Sequence, residues 1–405
     1  MSWLIPRNEL TSEQLRAIGL STTEHRVVFG APGSGKTQIL LHRTRYLCDI
    51  NNGPSAKFHI FVFNNVLKSY IKSALDLLNL PEKCVSTLDA WCANFYRKHI
   101  GGRMPWNAEG KCPDFTAIRK AVLDKVDSGN PRMLLYDFVM VDEGQDLDST
   151  SFEILSRISK HITVCIDHKQ KIYEKGLDEN GILTKLGLRR RNMTLLDAFR
   201  CCPYIVHLGS RFIENDEDRD AYIRQSRTEQ SERETPVLYF AVDFDDEKQR
   251  LIELVKTRLA KNEKIAVIVP QNRQVYGFAQ GLIAAGLDVE WSGTYDFNSP
   301  KPKVLTYHSA KGLTFDTVII PRLVVKSFAR FSEAEIKQLL FVAITRAQKW
   351  VALISNRKTG LPQLAKLEPL VKKGFVTVQE RSSSASEHRP SKDKDNEDSD
   401  LMDLL

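Results

Sequence analysis

The stretch Gly30-Ala31-Pro32-Gly33-Ser34-Gly35-Lys36-Thr37 constrains this chain more than any other feature. It follows the apolar run Val27-Val28-Phe29 and precedes Ile39-Leu40-Leu41, where helical spacing begins. A strand, a glycine-rich loop and a helix in that order form a cradle for a polyphosphate. The glycines let backbone N–H groups turn inward, and the helix N-terminus adds the positive end of its dipole. Lys36 then supplies a charge for the β- and γ-phosphates, and Thr37 a hydroxyl for Mg²⁺. The pattern predicts a nucleoside triphosphate site.

A length of 405 residues suggests two or three domains. Charged residues at 27% and hydrophobic ones at 42% describe a globular chain. No apolar run approaches the roughly 20 residues of a membrane helix, and Met1-Ser2-Trp3 opens no signal peptide, so no membrane association is expected. The seven cysteines contain no Cys-x-x-Cys pair, which argues against a zinc site or a disulfide framework. Adjacent Cys201 and Cys202 read as reduced bystanders, and the expected compartment is the cytoplasm. The net charge of +7 conceals an acidic end, because residues 379–405 hold four basic and eight acidic side chains. The remainder therefore carries +11, a balance that suits a polyanionic partner such as nucleic acid.

Residues 10–15 read as a capped helix start. Residues 58–63 read as a buried strand, and 68–80 as a helix with Leu67, Ile71, Leu75 and Leu78 on one side. A further strand, loop and helix follow at 84–91. Residues 138–141 form a strand that ends in Asp142-Glu143-Gly144-Gln145-Asp146, and 164–166 a strand that ends at Asp167. In the second half, 247–259, 275–285 and 336–341 read as helices, and 265–269, 304–307 and 318–320 as strands. The alternation predicts an α/β fold of two tandem parallel-sheet domains. The first is expected over 1–188, with a small helical insertion at about 97–134, the second over 189–378, and a disordered acidic tail over 379–405.

A strand ending in Asp-Glu downstream of a phosphate loop has a specific use. Asp142 can hold Mg²⁺ through water, and Glu143 can accept a proton from the water that attacks the γ-phosphate. Phosphoryl transfer also requires positive charge beyond the γ-phosphate, for which Arg200 and Arg346 are candidates.

These stretches, in this order, resemble the motif series of superfamily 1 helicases of the UvrD/Rep/PcrA kind over roughly residues 8 to 355. Leu10 to Gln14 resembles the adenine-reading Q motif, and Gly30 to Thr37 and Asp142 to Asp146 resemble motifs I and II. Phe63 and Asn65 resemble motif Ia, and Thr87 to Cys92 the DNA-contacting motif after it. Asp167, Gln170, Ile172 and Tyr173 follow the pattern of motif III, and Phe199-Arg200 resembles the aromatic–arginine pair of motif IV. Thr306 to Phe315, with Gly312, is similar to motif V, and Val342 to Ala347 to motif VI. The resemblance implies two RecA-like P-loop NTPase domains with ATP and Mg²⁺ in the cleft between them. Gln170 would sense the γ-phosphate, Arg200 and Arg346 would reach in from the second domain, and Phe199 would stack on the adenine. Single-stranded DNA would cross both domains on Phe63, Asn65, Thr87, Trp91, Tyr173, Thr306 and His308, with movement 3′ to 5′.

Several positions depart from the family pattern. The arginine that usually follows the loop threonine is Gln38, the ribose-side glutamate of motif V is Thr314, and the glycine before Asp167 is Ile166. A base-stacking tryptophan is replaced by Lys175, and a histidine by Asp89, which brings a negative charge toward the strand's phosphates. The intervals that carry accessory domains in long family members are short here. The expectation is therefore a minimal motor acting with a protein partner, such as a nuclease or a repair or defence complex. No nuclease signature is evident. Leu401-Met402-Asp403-Leu404-Leu405 faintly resembles a clamp-binding peptide that could dock on a partner. The alternatives are an RNA-directed ATPase and a nucleotide-gated binding subunit that switches a partner without processive movement.

Overall fold

The computed structural model describes residues 3–51, 53–128, 133–167, 176–191, 193–195, 201–225, 234–293 and 295–381. Among the described residues twelve strands divide into two six-stranded sheets, all of whose pairings are parallel. The first contains β1 (Arg26–Gly30), β2 (Phe58–Val62), β3 (Val85–Thr87), β4 (Tyr136–Val141), β5 (Ser159–Ile166) and β6 (Met193–Leu195). Its spatial order is β3-β2-β4-β5-β1-β6. The second contains β7 (Val237–Ala241), β8 (Ile265–Val269), β9 (Lys303–Thr306), β10 (Phe315–Ile320), β11 (Ala347–Asn356) and β12 (Thr377–Glu380). Its order is β12-β7-β11-β10-β8-β9. Parallel strands need crossover helices, which cover both faces of the sheet. The central strands are accordingly unbroken apolar runs such as Ile265-Ala266-Val267-Ile268-Val269, buried along their whole length.

Six helices of the first half position the site: α1 (Ser12–Ile18), α2 (Lys36–Ile50), α3 (Asn65–Leu75), α4 (Leu88–Phe95), α5 (Phe115–Asp127) and α6 (Ser149–Ile158). Ligands of such sheets gather where strands end at their carboxyl edges. Here β1, β4 and β5 are neighbours, and they end at the phosphate loop, at Asp142 and at Asp167.

The two-domain expectation stands, with local differences. β6 pairs with β1, so the first sheet runs past residue 188. Within the expected insertion, Ile118, Val122 and Val126 of α5 share one buried cluster with Phe152 and Leu155 of α6. Gln379 and Glu380, expected in the tail, pair with Tyr239 and Phe240 in the second sheet. Residues 382–405 of the tail lie outside the described residues. Leu67 and Tyr70 of α3 share another cluster with Tyr307, Ala310, Leu313 and Phe341 of the second half, so one core crosses between the sheets. All seven cysteine thiols are free. Among the described residues no helix is long and apolar enough to cross a membrane.

Candidate active site

The loop after β1 turns at Gly33 and Gly35, whose φ angles of 81° and 85° lie in the left-handed region that glycine tolerates. A Cβ at Gly35 would also displace the side-chain amide of Gln14. Gln14 completes a capping box at the start of α1 and donates to Ser34 O at 3.2 Å, which ties α1 to the loop. The Ser34 hydroxyl is buried without a partner among the described residues. Lys36 opens α2 and donates to Gly30 O at 2.8 Å, Ala31 O at 3.0 Å and Asp167 Oδ2 at 3.4 Å. Thr37 donates its hydroxyl to Asp142 Oδ2 at 2.8 Å.

Beyond Asp142 the backbone turns sharply. Glu143 has φ 55°, a left-handed conformation costly for a side chain of this size, and the turn aims its carboxylate into the cleft. Gln145 braces it, donating to Glu143 Oε2 at 2.5 Å while accepting from Asp167 N at 3.1 Å. The second half supplies the cations. Lys311, fully buried, lies 2.5 Å from Asp146 Oδ2 and 3.7 Å from Glu143 Oε2. Arg346 is 3% exposed and donates to Val342 O at 3.0 Å, Leu313 O at 3.2 Å and Thr345 Oγ1 at 3.2 Å. Gly33, Lys36, Thr37, Glu143, Gly312 and Arg346 line one solvent-open cleft of about 560 Å³.

The two adjacent carboxylates are driven apart. Burial raises the Asp142 pKa, and the neighbouring Glu143 charge adds to it. Burial acts on Glu143 as well, but the charges of Lys311, Lys36 and Arg346 outweigh it and hold its carboxyl below the ordinary range. An ionised base beside a buried acid–hydroxyl pair is the arrangement that water activation and Mg²⁺ binding require.

The proposed strand-contacting residues are more scattered. Thr87 caps α4, accepting from Ala90 N at 3.2 Å, and Thr306 accepts from Ser309 N at 3.2 Å at the head of the turn Tyr307–Ala310. The carbonyl of His308 accepts from Asn64 Nδ2 at 3.1 Å, which links the halves beside the exposed Asn65. Phe63 is half-buried, with Lys311 Nζ 5.6 Å from its ring centre. Trp91 packs into the first domain: it stacks on Phe95 at 5.2 Å and donates its indole N–H to Tyr136 Oη at 2.9 Å. Asp89 pairs with Arg119 of α5, which also reaches Asp148 at 3.1 Å, so its charge is compensated. Gln170, Tyr173, Phe199 and Arg200 lie outside the described residues. Sequence reasoning did not single out Lys311 or Gln145, although both fall inside quoted motifs; only tertiary placement shows what they face.

Two family profiles match the chain: that of an AAA domain over residues 14–175 and that of the UvrD-like helicase C-terminal domain over residues 303–354. A protein of Acanthamoeba polyphaga mimivirus, provisionally named an ATP-dependent DNA helicase, is 22% identical over 371 residues, 84% of this chain and 52% of that protein. A protein of Mycoplasma pneumoniae, provisionally named a DNA helicase, is 29% identical over 132 residues, 30% of this chain and 23% of that protein. The chain thus spans about half the length of the first relative and less of the second. Among solved structures, the C-terminal domain of a provisionally identified DNA helicase from Lactobacillus plantarum is 18% identical. It covers 44% of this chain and 98% of its own length, with a TM-score of 0.35. With the motif series in order, the two parallel sheets and both matched segments in place, the chain is similar to the UvrD-like superfamily 1 helicases.

Proposed function

We propose that the chain hydrolyses ATP with Mg²⁺ in the cleft between its sheets and uses the cycle to move along single-stranded DNA, 3′ to 5′. The observation that carries this reading is that Glu143 shares one cleft with Lys36 from the first half and Arg346 from the second, with Lys311 of the second half 3.7 Å from its carboxylate. A base whose charge environment is completed only when both halves are in contact couples hydrolysis to closure of the cleft.

The residues present fit the nucleotide. The paired glycines turn the loop into an anion-binding concavity, and the unpartnered Ser34 hydroxyl stands within it. Thr37 and Asp142 offer the hard oxygen donors that Mg²⁺ takes. Held there by Thr37 and Asp142, the ion would supply positive charge against the phosphates. Lys36 exchanges its carbonyl partners for phosphate oxygens. Glu143 accepts the proton of the attacking water, with Gln145 fixing the carboxylate's orientation. Arg346, held by backbone carbonyls, places positive charge on the far side. Arg200, Gln170 and Phe199 are assigned their roles from the motif series alone, and Asn65, Thr306 and His308 theirs as strand contacts. The first domain extends through Leu195. A protein partner, recruited through the tail, and a reducing cytoplasm complete the proposal.

The test is steady-state ATPase of the wild type and Glu143→Gln, alone and with single-stranded DNA, duplex DNA or RNA. Stimulation by single-stranded DNA, with loss of about 10²-fold or more in the variant, is expected. Preference for RNA would redirect the reading to an RNA-directed ATPase. The second reading, a nucleotide-gated switch, draws on the single short connection over residues 285–302, which leaves no accessory domain there. A slow rate indifferent to every strand would favour it.

A further inference from the structure

Gln38 stands where the family pattern has an arginine over the adenine, and the structure gives it a different task. Its amide donates through Nε2 to Trp3 O at 3.0 Å and accepts at Oε1 from Ile5 N at 3.0 Å. One turn further along α2, His42 Nε2 meets Ile5 O at 2.8 Å. Two positions on the same face of the phosphate-loop helix thus clamp the N-terminal arm against it. The arm carries Trp3 to the edge of the cleft, where it lines the same pocket as Gly35, Thr37 and Gln38. There its indole N–H donates to Ser73 Oγ at 2.9 Å, and its ring stacks on Tyr70 at 3.8 Å and 18°. Tyr70 in turn is buried and meets Thr314, the residue in place of the ribose-side glutamate, at 3.2 Å.

Trp3 is therefore held at its carbonyl, at its indole nitrogen and on one ring face. The other face has no ring partner among the described residues, and Trp3 remains half-buried beside the loop that takes the phosphates. We propose that Trp3, set by Gln38 and backed by Tyr70, is the nucleobase shelf of this site, receiving the base of a nucleoside triphosphate in place of the absent arginine. The proposal rests on the nucleotide reading of the phosphate loop. A rigid aromatic face immobilised before the ligand arrives loses little entropy on binding, and any base offers a π-face to it. Clamping by Gln38 is what makes a tryptophan on this arm usable for this purpose.

The test separates base from phosphates. Binding of Mg-ADP and of Mg-tripolyphosphate to the full chain is measured by titration calorimetry for the wild type, Trp3→Leu and Trp3→Phe, with thermal melts to show that each variant is folded. Leucine keeps apolar bulk against Tyr70 and removes the π-face, whereas phenylalanine keeps a π-face. Trp3→Leu is expected to weaken Mg-ADP about tenfold, from the worth of one base–aromatic stack, and to leave tripolyphosphate unchanged. Trp3→Phe is expected to recover most of the loss. Unchanged ADP affinity in Trp3→Leu, or equal loss for both ligands, overturns the shelf while leaving the phosphate loop intact. Failure of the wild type to bind either ligand overturns the nucleotide reading itself, and the shelf with it.

Discussion

At the scale of single residues, the site turns on how Glu143 is kept ionised while fully buried. Taking a carboxylate out of water raises its pKa, and only close cations reverse that. Lys311, 3.7 Å away and shared with Asp146, is the first of the cations that do so. In Lys311→Met the Glu143 pKa rises. Because a general base works deprotonated, the acid limb of the kcat/KM profile for ATP should move to higher pH, and Lys311→Arg should restore it in part. A pH–rate profile of the three proteins checks this, and an unshifted acid limb would mean that Lys311 does not set the charge state of the base. Removing one member of a buried ion pair should also destabilise the folded chain, by about 3–5 kcal/mol, readable from urea midpoints.

At the scale of elements, the phosphate-loop helix is fixed to the sheet by a buried polar network. Arg43 of α2 donates to Ile18 O and Leu20 O, each at 2.7 Å, to Thr163 Oγ1 at 3.0 Å and to His161 Nε2 at 3.3 Å. A guanidinium only donates, so Nε2 of His161 must accept, and the ring stays neutral. Burial, then the nearby charges of Arg43, His25 and Arg26, push the His161 pKa down to about 3, and burial pushes His59 of β2 down to about 4. Unfolded, both titrate at about 6.5. Below that value the unfolded chain binds protons that the folded chain refuses. Stability should therefore fall between about pH 6.5 and pH 4, by up to about 1.4 kcal/mol per pH unit for each histidine. Urea midpoints from pH 7 to pH 5 measure this, and His59→Asn should flatten the dependence; a wild type indifferent to pH would contradict it. Such networks are invisible in sequence, whereas the elements they join were largely legible. The strands ending at Gly30, Val141 and Ile166 could be read because apolar runs stop abruptly at chemistry-bearing residues. β11 escaped notice because the helix Glu333–Ile344 ends at Thr345, without glycine or proline, and its apolar run continues almost at once into Trp350–Ile354. β6 has only three residues, too few to show a period, and β12 is a polar edge strand that reads as tail. Trp91 could have been a stacking surface or core; the hydroxyl of Tyr136 that decides it lies far along the chain.

At the scale of the whole molecule, the halves share more than a cleft. Leu67 and Tyr70 are buried in one cluster with Leu313 and Phe341, and polar contacts run alongside, from Asn64 to His308 O at 3.1 Å and from Asn298 to Ser73 O at 3.2 Å. At Gly312 the backbone of the second half lies against side chains of the first. Its φ is 79°, and a Cβ there would lie 3.0 Å from Leu67 Cδ2 and 3.5 Å from Glu143 Oε1. Alanine at 312 thus meets two obstacles together: a left-handed backbone costing on the order of 1–2 kcal/mol and a tight contact with the Leu67 side chain of the facing domain. The contact is relieved by moving the second half away, which also withdraws Lys311 and Arg346 from Glu143. Because a contiguous core melts as a unit, the wild type should show a single calorimetric transition, with calorimetric and van't Hoff enthalpies in agreement. Gly312→Ala should split it into two and lower the stimulated ATPase in the same protein. Two transitions already present in the wild type would show that the shared cluster does not bind the halves cooperatively. A variant that keeps one transition yet loses activity would instead place the role of Gly312 at the nucleotide, apart from closure. Loss of both together is what a motor driven by contact between its halves requires.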